Sequence, residues 1–500
     1  MTPEQFKQYS DQGYNRIPLM KTILADLETP LSAYMKLANT AYSYLFESVQ
    51  GGENWGRYSI IGLPCNDVIK INGNTISLHS AGEVTETITS DTPLDWVRDY
   101  AAKFNTPEVD GLPRFSGGLV GYFGYETIHY VEPKVAAYSR QVKKPDPIGS
   151  ADILLMVSEE VLVFDNVSNK LMIVTHVNPA LDNAYQQGME RLQEIVQQLE
   201  NTQLNSSFAK VSKAAIDETD FVSGFTQQGF QDAVKTVKDY IVEGDVMQVV
   251  LSQRMTIPYA EPAIDLYRAL RCINPSPYMY HLNLGDSDVV GSSPEILTRL
   301  EDEEVTVRPI AGTRPRGATR EEDEALEKEL LADPKECAEH LMLIDLGRND
   351  AGRVSQTGSV ELTDKMIIER YSHVMHIVSN VTGKLIPELD AIDVLAATFP
   401  AGTVSGAPKI RAMQIIDELE PVKRGIYSGA VGYLSWSGNL DTAIAIRTAV
   451  IKDGQLHIQA GAGIVHDSVP ENEWAETMNK GRAIFKAVAM VQRGLTEGEG

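Results

Sequence analysis

The sequence predicts an α+β fold of antiparallel sheets with flanking helices. Short apolar runs of strand type occur in neighbouring groups, and segments with helical spacing of apolar residues lie between the groups. A regular alternation of strand and helix, which is typical of parallel sheets, does not occur. The length of 500 residues is sufficient for two to three domains.

Residues 15–180 form a mixed region that is rich in predicted strands. Its apolar runs at 153–157, 161–164 and 171–174 are separated by turn residues, which predicts an antiparallel meander. A helix is predicted over 182–198. The polar stretch 201–223 has few large apolar residues and is the best candidate for a connection between domains.

The second predicted domain covers residues 225–490. Apolar residues from Phe230 to Ile241 repeat at helical spacing, and Gly244 follows as a stop. A strand is predicted at 249–251. Further strands are predicted at 280–284, 430–436, 443–451 and 456–459, and further helices at 321–331, 335–346, 408–419 and 470–491. We expect disorder only at 496–500.

Charge and cysteine content exclude several classes of protein. The net charge of −25 disfavours a general nucleic-acid binder, which needs a basic face. No apolar run approaches the ~18 residues that span a bilayer. The three cysteines are far apart and odd in number, which argues against a disulfide framework or a zinc site. We therefore expect a cytoplasmic protein without a membrane or nucleic-acid partner.

Two predicted helices each carry a pair of carboxylates. Glu336 and Glu339 are three residues apart on one helix, and Glu473 and Glu476 are three apart on another. Residues three apart share a helical face, so two converging helices could hold a hard divalent cation such as Mg²⁺. Lys480 would lie on the same face as Glu476. The alternative is that these are solvated surface glutamates.

Three glycine-rich turns lie between apolar strands, at 309–315, 400–409 and 459–465. Glycine permits a close approach of backbone N–H groups to an anion. None of the turns matches a phosphate loop or a dinucleotide-binding motif. The third turn leads into the Glu473 and Glu476 helix, so it could place backbone donors beside a metal.

Two further polar residues lie in apolar surroundings. Arg447, in a predicted strand, would either pair with a buried acid or bind a ligand carboxylate in bidentate fashion. His376 lies in an apolar run, where a histidine is more often a core residue than a catalyst. The residues alone leave both questions open.

Taken together and in order, these stretches resemble the chorismate-utilising enzyme family. An N-terminal resemblance covers LFESV (45–49) and GRYSIIG (56–62), with Phe46 in place of the second leucine of the usual LLES. The C-terminal resemblance covers GDVMQVVLSQR (244–254), NPSPYMY (274–280), GSSPEIL (291–297), RPIAGTRPRG (308–317), DPKECAEHLMLIDLGRND (333–350), HVMHIVS (373–379), GTVSGAPK (402–409), AIRTA (445–449), QAGAGIVHDS (459–468) and EWAETMNK (473–480). The resemblance implies a layered α/β/β/α sandwich.

Members of this family differ in the nucleophile that they use. Some carry a lysine that attacks the substrate where this chain has Ala311, and others activate water with a lysine where it has Gln248. The resemblance therefore implies that this chain uses ammonia and forms anthranilate and pyruvate from chorismate, the first committed step of tryptophan biosynthesis. A non-covalent aminodeoxychorismate synthase is the nearest alternative. The presence of Glu339, Glu476 and Arg447 argues against a catalytically silent regulatory subunit.

The resemblance also implies a role for individual residues. Glu295 would protonate the departing C4 hydroxyl, and His376 and Thr403 would assist elimination. Glu339 and Glu476 would bind Mg²⁺, supported by Glu336 and Glu473. The implied chorismate contacts are Gly312, Thr313, Tyr427, Arg447, Gly461, Ala462, Gly463 and Lys480. The implied tryptophan feedback site contains Ser48, Pro277, Tyr278 and Met279.

The resemblance further implies a partner subunit. A glutaminase of the amidotransferase type needs a nucleophilic cysteine on a glycine-rich turn. Cys65, Cys272 and Cys337 have no such surroundings. A separate glutamine amidotransferase subunit would therefore supply ammonia, in a heterotetramer of two large and two small subunits.

Overall fold

A computed structural model describes residues 1–49, 57–204, 216–371 and 374–495 of the chain. Its architecture is the predicted α+β sandwich, in which two antiparallel sheets pack face to face between outer helices. The middle of the predicted connection (205–215) and the predicted disordered end (496–500) lie outside the described residues.

Sheet A has twelve strands within the described ranges, in the order β1-β10-β9-β3-β2-β13-β14-β23-β24-β12-β11, and β20 also pairs with β12. These strands are β1 (Ile17–Leu24), β2 (Ser43–Glu47), β3 (Tyr58–Gly62), β9 (Glu160–Asp165), β10 (Lys170–Val177), β11 (Val222–Ser223), β12 (Gln248–Pro258), β13 (Tyr278–Asn283), β14 (Ser287–Ser293), β20 (Gly406–Ala407), β23 (Thr448–Lys452) and β24 (Gln455–Ile464).

Sheet B also has twelve described strands, in the order β17-β19-β16-β15-β22-β21-β7-β8-β4-β5-β6, and β18 pairs with β19. They are β4 (Asp67–Asn72), β5 (Thr75–Ser80), β6 (Glu83–Thr89), β7 (Gly118–Phe123), β8 (Ile153–Ser158), β15 (Ile296–Glu301), β16 (Glu304–Val307), β17 (Ile310–Pro315), β18 (Glu361–Arg370), β19 (Val374–Lys384), β21 (Ala430–Ser435) and β22 (Leu440–Ile444).

Helices cover the outer faces of both sheets. They are α1 (Pro3–Asp11), α2 (Pro30–Leu37), α3 (Pro93–Ala101), α4 (Ile128–Val131), α5 (Pro133–Val142), α6 (Ala184–Asn201), α7 (Gln227–Glu243), α8 (Ala263–Ile273), α9 (Arg320–Ala332), α10 (Pro334–Gly352), α11 (Ala391–Thr398), α12 (Lys409–Leu419) and α13 (Pro470–Gln492). No helix in the described ranges is both long and apolar enough to cross a membrane.

Local sequence rules explain the ends of the helices that carry the candidate site. Gly244 ends α7 with φ of 84°, a conformation that favours glycine, as the sequence predicted. The Asp333 side chain accepts hydrogen bonds from the first backbone N–H groups of α10, and Pro334 occupies the first turn. Pro470 similarly begins α13. The predicted helices over 335–346 and 470–491 are thus confirmed.

An apolar core fills the space between the two sheets. Tyr44 and Tyr280 of sheet A and Tyr122 of sheet B are buried there with the alternate residues of neighbouring strands. Strands that precede residue 201 and strands that follow residue 223 occur in both sheets. The proposed boundaries at 15–180 and 225–490 stay predictions.

The chain passes from one sheet to the other at two places where the sequence pattern predicted that it would stay in one sheet. The predicted meander over 153–174 is wrong in one respect, because β8 belongs to sheet B whereas β9 and β10 form a hairpin in sheet A. The predicted single strand over 443–451 is likewise two strands, β22 in sheet B and β23 in sheet A. Arg447 lies at the break between them, with φ of 49°.

Candidate active site

The paired carboxylates of α10 and α13 approach one another. Burial raises the pKa of Glu339, and the negative charges of Glu336 and Glu476 raise it further. Burial and the charge of Glu476 also raise the pKa of Glu473. The two helices therefore bring these charges within range of each other, although the Glu476 side chain is 45% exposed. The assignment of these glutamates to a metal site stays a prediction.

This acidic group is compatible with a hard cation. Carboxylates that repel one another in a half-buried site are stabilised when a divalent ion binds between them. The described residues contain no ready-made group of three or more His, Cys, Asp or Glu ligands. Glu339 and Glu476 are the residues that could hold such an ion, and water and oxygens of a ligand would have to complete its coordination.

Lys480 and Gln248 contact the acidic group from the sheet A side. Lys480 lies 2.7 Å from Glu476 and donates a 2.9 Å hydrogen bond to the carbonyl oxygen of Gly461. Gln248 Nε2 donates a longer bond, of 3.4 Å, to Glu339 Oε1. The side chains of the site are thus connected to the backbone of strands β12 and β24.

Glycines in β24 make room for these side chains. A Cβ at Gly463 would lie 2.4 Å from Gln248 Nε2, and a Cβ at Gly461 would lie 2.8 Å from the Tyr427 hydroxyl. Between the two glycines, the Ala462 side chain is buried in the apolar core. Only the backbone of Ala462 is therefore available on the side of these polar groups. The glycine-rich turn predicted at 459–465 is wrong, because residues 459–464 are part of strand β24. Its glycines leave space for the neighbouring polar side chains.

Gly312 has a comparable role on sheet B. It lies at a bulge in β17 with φ of 65°, and a Cβ there would lie 3.2 Å from Glu336 Oε2. Its carbonyl oxygen accepts a 2.9 Å hydrogen bond from His376 Nδ1. The bulge therefore places the Thr313 hydroxyl, 3.1 Å from the same nitrogen, beside the histidine.

His376 is buried and uncharged at neutral pH. Burial lowers the pKa of its imidazole to about 4, although the bond to Gly312 acts in the opposite direction. Because Nδ1 donates its proton to a carbonyl oxygen, Nε2 carries no proton and can accept one. The histidine is thus suited to accept a proton in a reaction.

Glu295 lies at a crossover of the chain from β14 to β15. Burial raises the pKa of its carboxyl to about 8 despite the nearby Thr403, Lys480 and Arg447. Glu295 and Thr403 line one small cavity of about 30 Å³. The Thr403 Oγ1 is buried and has no hydrogen bond of regular geometry to any described residue. Glu295 is protonated at neutral pH and can therefore donate a proton.

Arg447 occupies the second crossover, from β22 to β23. Its half-buried guanidinium makes no hydrogen bond or ion pair with the residues that the structure describes, and burial lowers its pKa. Of the two alternatives from the sequence, a pair with a buried acid is not observed. An unpaired guanidinium at the edge of the site is suited to a ligand carboxylate.

The residues predicted for a tryptophan site lie apart from this group. Ser48, Pro277, Tyr278 and Met279 all line a different cavity, of about 250 Å³. One wall is an ion pair of 2.8 Å between Arg299 and Asp441, to which the Tyr278 hydroxyl is bonded at 2.9 Å. The two predicted groups of residues therefore lie in two separate places, and the roles predicted for them stay predictions.

Two features near the candidate site were not predicted from the sequence. Arg424 and Glu420 form a fully buried ion pair behind Tyr427. Tyr371 stacks edge-on against His376, with ring centroids 5.4 Å apart. A glutamate four residues before an arginine at a helix end could have suggested the first feature. Nothing local indicates the second.

Comparisons with known proteins place the chain in one family over nearly its whole length. The sequence pattern of the chorismate binding enzyme family matches residues 45–486. Anthranilate synthase component 1 of Pseudomonas aeruginosa is 57% identical, over 99% of this chain and 100% of its own length. The protein of that name from Neisseria meningitidis serogroup A is 53% identical, with 99% of each chain covered.

Solved structures show the same fold. The crystal structure of anthranilate synthase component I from Streptococcus pneumoniae matches with a TM-score of 0.75 and 38% identity, over 93% of this chain and 99% of that one. The menaquinone-specific isochorismate synthase of Escherichia coli, at 19% identity and a TM-score of 0.69, shares the fold. The chain belongs to the chorismate binding enzyme family and is an enzyme of this type.

Proposed function

We propose that the chain is the large subunit of an anthranilate synthase, which converts chorismate and ammonia to anthranilate, pyruvate and water in tryptophan biosynthesis. The observation that carries this proposal is the absence of an amine at two positions. Ala311 and Gln248 replace the lysines that supply or activate other nucleophiles in the family, and Gln248 is bonded to Glu339. The names of the relatives at 53–57% identity support the same conclusion.

The charges of the site suit a dicarboxylate substrate. The protein has a net charge of −25, so an anionic substrate needs a local source of positive charge. Arg447 would bind one carboxylate. Mg²⁺, held by Glu339 and Glu476 with Glu336 and Glu473 behind them, would orient the other and act as a Lewis acid. Lys480 and the Gly461 backbone would complete the binding surface.

The proton transfers follow from the ionisation of two side chains. Ammonia adds at C2 of the ring, and the C4 hydroxyl leaves as water after Glu295 donates its proton. Loss of the ring proton at C2 and of the enolpyruvyl group as pyruvate then restores aromaticity. Neutral His376, with Thr313 beside it, would accept or relay a proton in this second step, and Thr403 beside Glu295 would assist the elimination.

Ammonia would come from a separate glutamine amidotransferase subunit. Cys65 is part-buried and burial raises the pKa of its thiol to about 12, Cys272 lies in α8 and Cys337 in α10. None of the three therefore has the surroundings of an activated nucleophile. The designation component 1 of the relatives also supports a second component, and we propose two copies of each in the assembly.

The 250 Å³ cavity would bind L-tryptophan as a feedback inhibitor. Aromatic residues such as Phe115 and Tyr433, whose ring centroids are 4.3 Å apart, supply apolar surface for an indole. Asp441 and Glu301 supply carboxylates for its ammonium group. The cavity draws Ser48 from one half of the chain and Met279 from the other.

Product analysis tests the proposed reaction. The purified chain is incubated with chorismate, Mg²⁺ and ammonium near pH 8, where part of Glu295 is protonated and part of the ammonium is free ammonia. The products are separated and compared with standards by fluorescence. We expect anthranilate, and no activity with glutamine alone. A 4-amino product would indicate an aminodeoxychorismate synthase instead. A folded chain that forms no amine would contradict the proposal.

A further inference from the structure

Arg424 is buried directly behind the candidate active site. It lies in the loop between α12 and β21 and is 2% exposed. Its guanidinium has five N–H donors, and each of them has an acceptor. The acceptors are Glu420 Oε2 (2.9 Å) and Oε1 (2.6 Å), the Val404 and Val250 carbonyl oxygens (both 2.7 Å), and Ser428 Oγ (3.1 Å).

These acceptors adjoin residues that would contact the substrate. Val404 follows Thr403 in the chain, and Ser428 follows Tyr427. Val250 is paired with Gly463 across β12 and β24. The Arg424 guanidinium therefore fixes three separate segments that converge on the site, although all of its own donors are used within the protein.

The Tyr427 ring and further bonds of Glu420 complete the arrangement. The guanidinium carbon lies 5.4 Å from the centroid of the Tyr427 ring. Glu420 in turn accepts hydrogen bonds from the Ser252 backbone N–H at 2.8 Å and from its hydroxyl at 2.7 Å. Ser252 is paired with Gly461. The ion pair thus also fixes the strand register beside Gly461 and the Tyr427 hydroxyl.

The N-terminal part of the chain holds the same loop from the other side. The Tyr125 ring centroid is 4.8 Å from the Arg424 guanidinium, and the Tyr125 N–H donates a 2.7 Å bond to the Gly425 carbonyl. Glu126 accepts a 3.0 Å bond from the Gly425 N–H. Both residues are buried.

We propose that Arg424, together with Glu420, is a positioning residue that fixes Tyr427, the Thr403 turn and the β12–β24 edge in the geometry that binds and converts the substrate. It does not touch the substrate. This inference rests on the proposed function for the identity of the ligand. Arginine is required because lysine retains the charge but cannot reach five acceptors in a planar arrangement.

The test compares Arg424→Lys with wild type and with Arg191→Lys. Arg191 forms a bidentate pair with Glu160, at 2.8 Å for both bonds, in the N-terminal region away from the site. For Arg424→Lys we expect kcat/KM for chorismate to fall on the order of 10²-fold, the cost of about 1 Å of misplacement. Mg²⁺ affinity should not change, because α10 and α13 are not bonded to Arg424. Arg191→Lys should retain wild-type kinetics.

Chorismate binding without ammonia separates this inference from the proposed reaction. Calorimetry should show at least roughly tenfold weaker binding to Arg424→Lys, on the same grounds of misplacement, even if the product is not anthranilate. If Arg424→Lys fails to fold, Glu420→Gln decides, and we expect weaker binding and a lower kcat there too. A folded Arg424→Lys variant with wild-type binding and kcat would overturn the inference. If that variant does not fold, the same result in Glu420→Gln would overturn it.

Discussion

Glu295 and Arg447 lie at two neighbouring crossovers between the sheets, and the backbones of these crossovers are bonded to each other. The Ile444 N–H donates a 3.0 Å bond to the Glu295 carbonyl, and the Ser292 N–H donates a 3.1 Å bond to the Arg447 carbonyl. The charge of Arg447 lowers the pKa of Glu295, whereas burial raises it to about 8. Backbone bonds thus hold a protonated acid and a guanidinium on adjacent crossovers.

Glu295→Gln should remove the proton donor while it keeps the shape of the side chain. We expect kcat to fall roughly 10²–10⁴-fold, the usual contribution of a general acid. Chorismate affinity, measured by calorimetry, should change little. Glu304→Gln, at an exposed position in the neighbouring strand β16, is the matched control. A kcat within tenfold of wild type would show that Glu295 is not the acid.

The pH dependence of kcat/KM should show loss of activity on the alkaline side. A carboxyl with a raised pKa is protonated below that pKa, so Glu295 can donate a proton below about pH 8 and cannot above it. The assay keeps free ammonia constant by adjusting total ammonium at each pH. The residual activity of Glu295→Gln should lack this decline. A profile that is flat through pH 9 in wild type would be inconsistent with this assignment.

Arg447→Met should weaken substrate binding without loss of stability. The guanidinium is unpaired among the described residues, and burial of an unpaired charge is unfavourable. We therefore expect an unchanged or higher free energy of unfolding in urea, with KM for chorismate raised at least roughly tenfold from the lost charge-assisted bonds. Arg299→Met, which breaks the pair with Asp441, should instead lower stability. An unaltered KM would exclude Arg447 as a carboxylate ligand.

The carboxylate group should bind Mg²⁺ or Mn²⁺ in the absence of substrate. Glu336→Gln and Glu473→Gln should weaken binding by roughly 10–100-fold, as supporting residues do, and Glu339→Gln and Glu476→Gln by more. Because Glu336 and Glu476 repel Glu339, the metal-free Glu339→Gln protein should be at least as stable to heat as wild type. Mn²⁺ titration followed by electron paramagnetic resonance gives the affinities. Equal affinities in all variants would mean that the ligands are wrongly assigned.

Filling the 250 Å³ cavity should abolish tryptophan binding and leave catalysis intact. Met279 is 1% exposed between β2 and β14, the Ser48 side chain is half-buried, and both residues line this cavity. Ser48→Phe should remove both calorimetric binding of L-tryptophan and inhibition by it, with kcat/KM for chorismate unchanged. Ser80→Phe, at the end of β5 in sheet B, serves as a control for the added ring. Inhibition that persists in Ser48→Phe would place the regulatory site elsewhere.

The periodicity of the sequence predicted the helices well but not the exchange of strands between sheets. Residues 443–451 are apolar on both sides of Arg447, because the strands on either side, β22 and β23, are both buried. Burial alone does not say which sheet a strand joins. The left-handed φ of Arg447 and the change of sheet at Glu159 depend on contacts with distant strands.

The candidate site shows the same division. Spacing placed Glu339 and Glu336 on one helical face, but only the packing of α10 and α13 against the sheets brings them to Glu476. Arg447 was recognisable as an unusual residue, and the structure was needed to show that no described acid pairs with it. The Arg424–Glu420 pair escaped prediction because its acceptors come from segments about 20 and 170 residues away.

Transfer of labelled nitrogen is the most direct test of the central claim. The purified chain is given chorismate, Mg²⁺ and ¹⁵N-ammonium, and the products are analysed by mass spectrometry and nitrogen-15 NMR. The proposal predicts one labelled nitrogen per ring, at the carbon next to the ring carboxylate, and an equal amount of pyruvate. Label at the carbon opposite the carboxylate, or an unlabelled hydroxylated product from water, would contradict it.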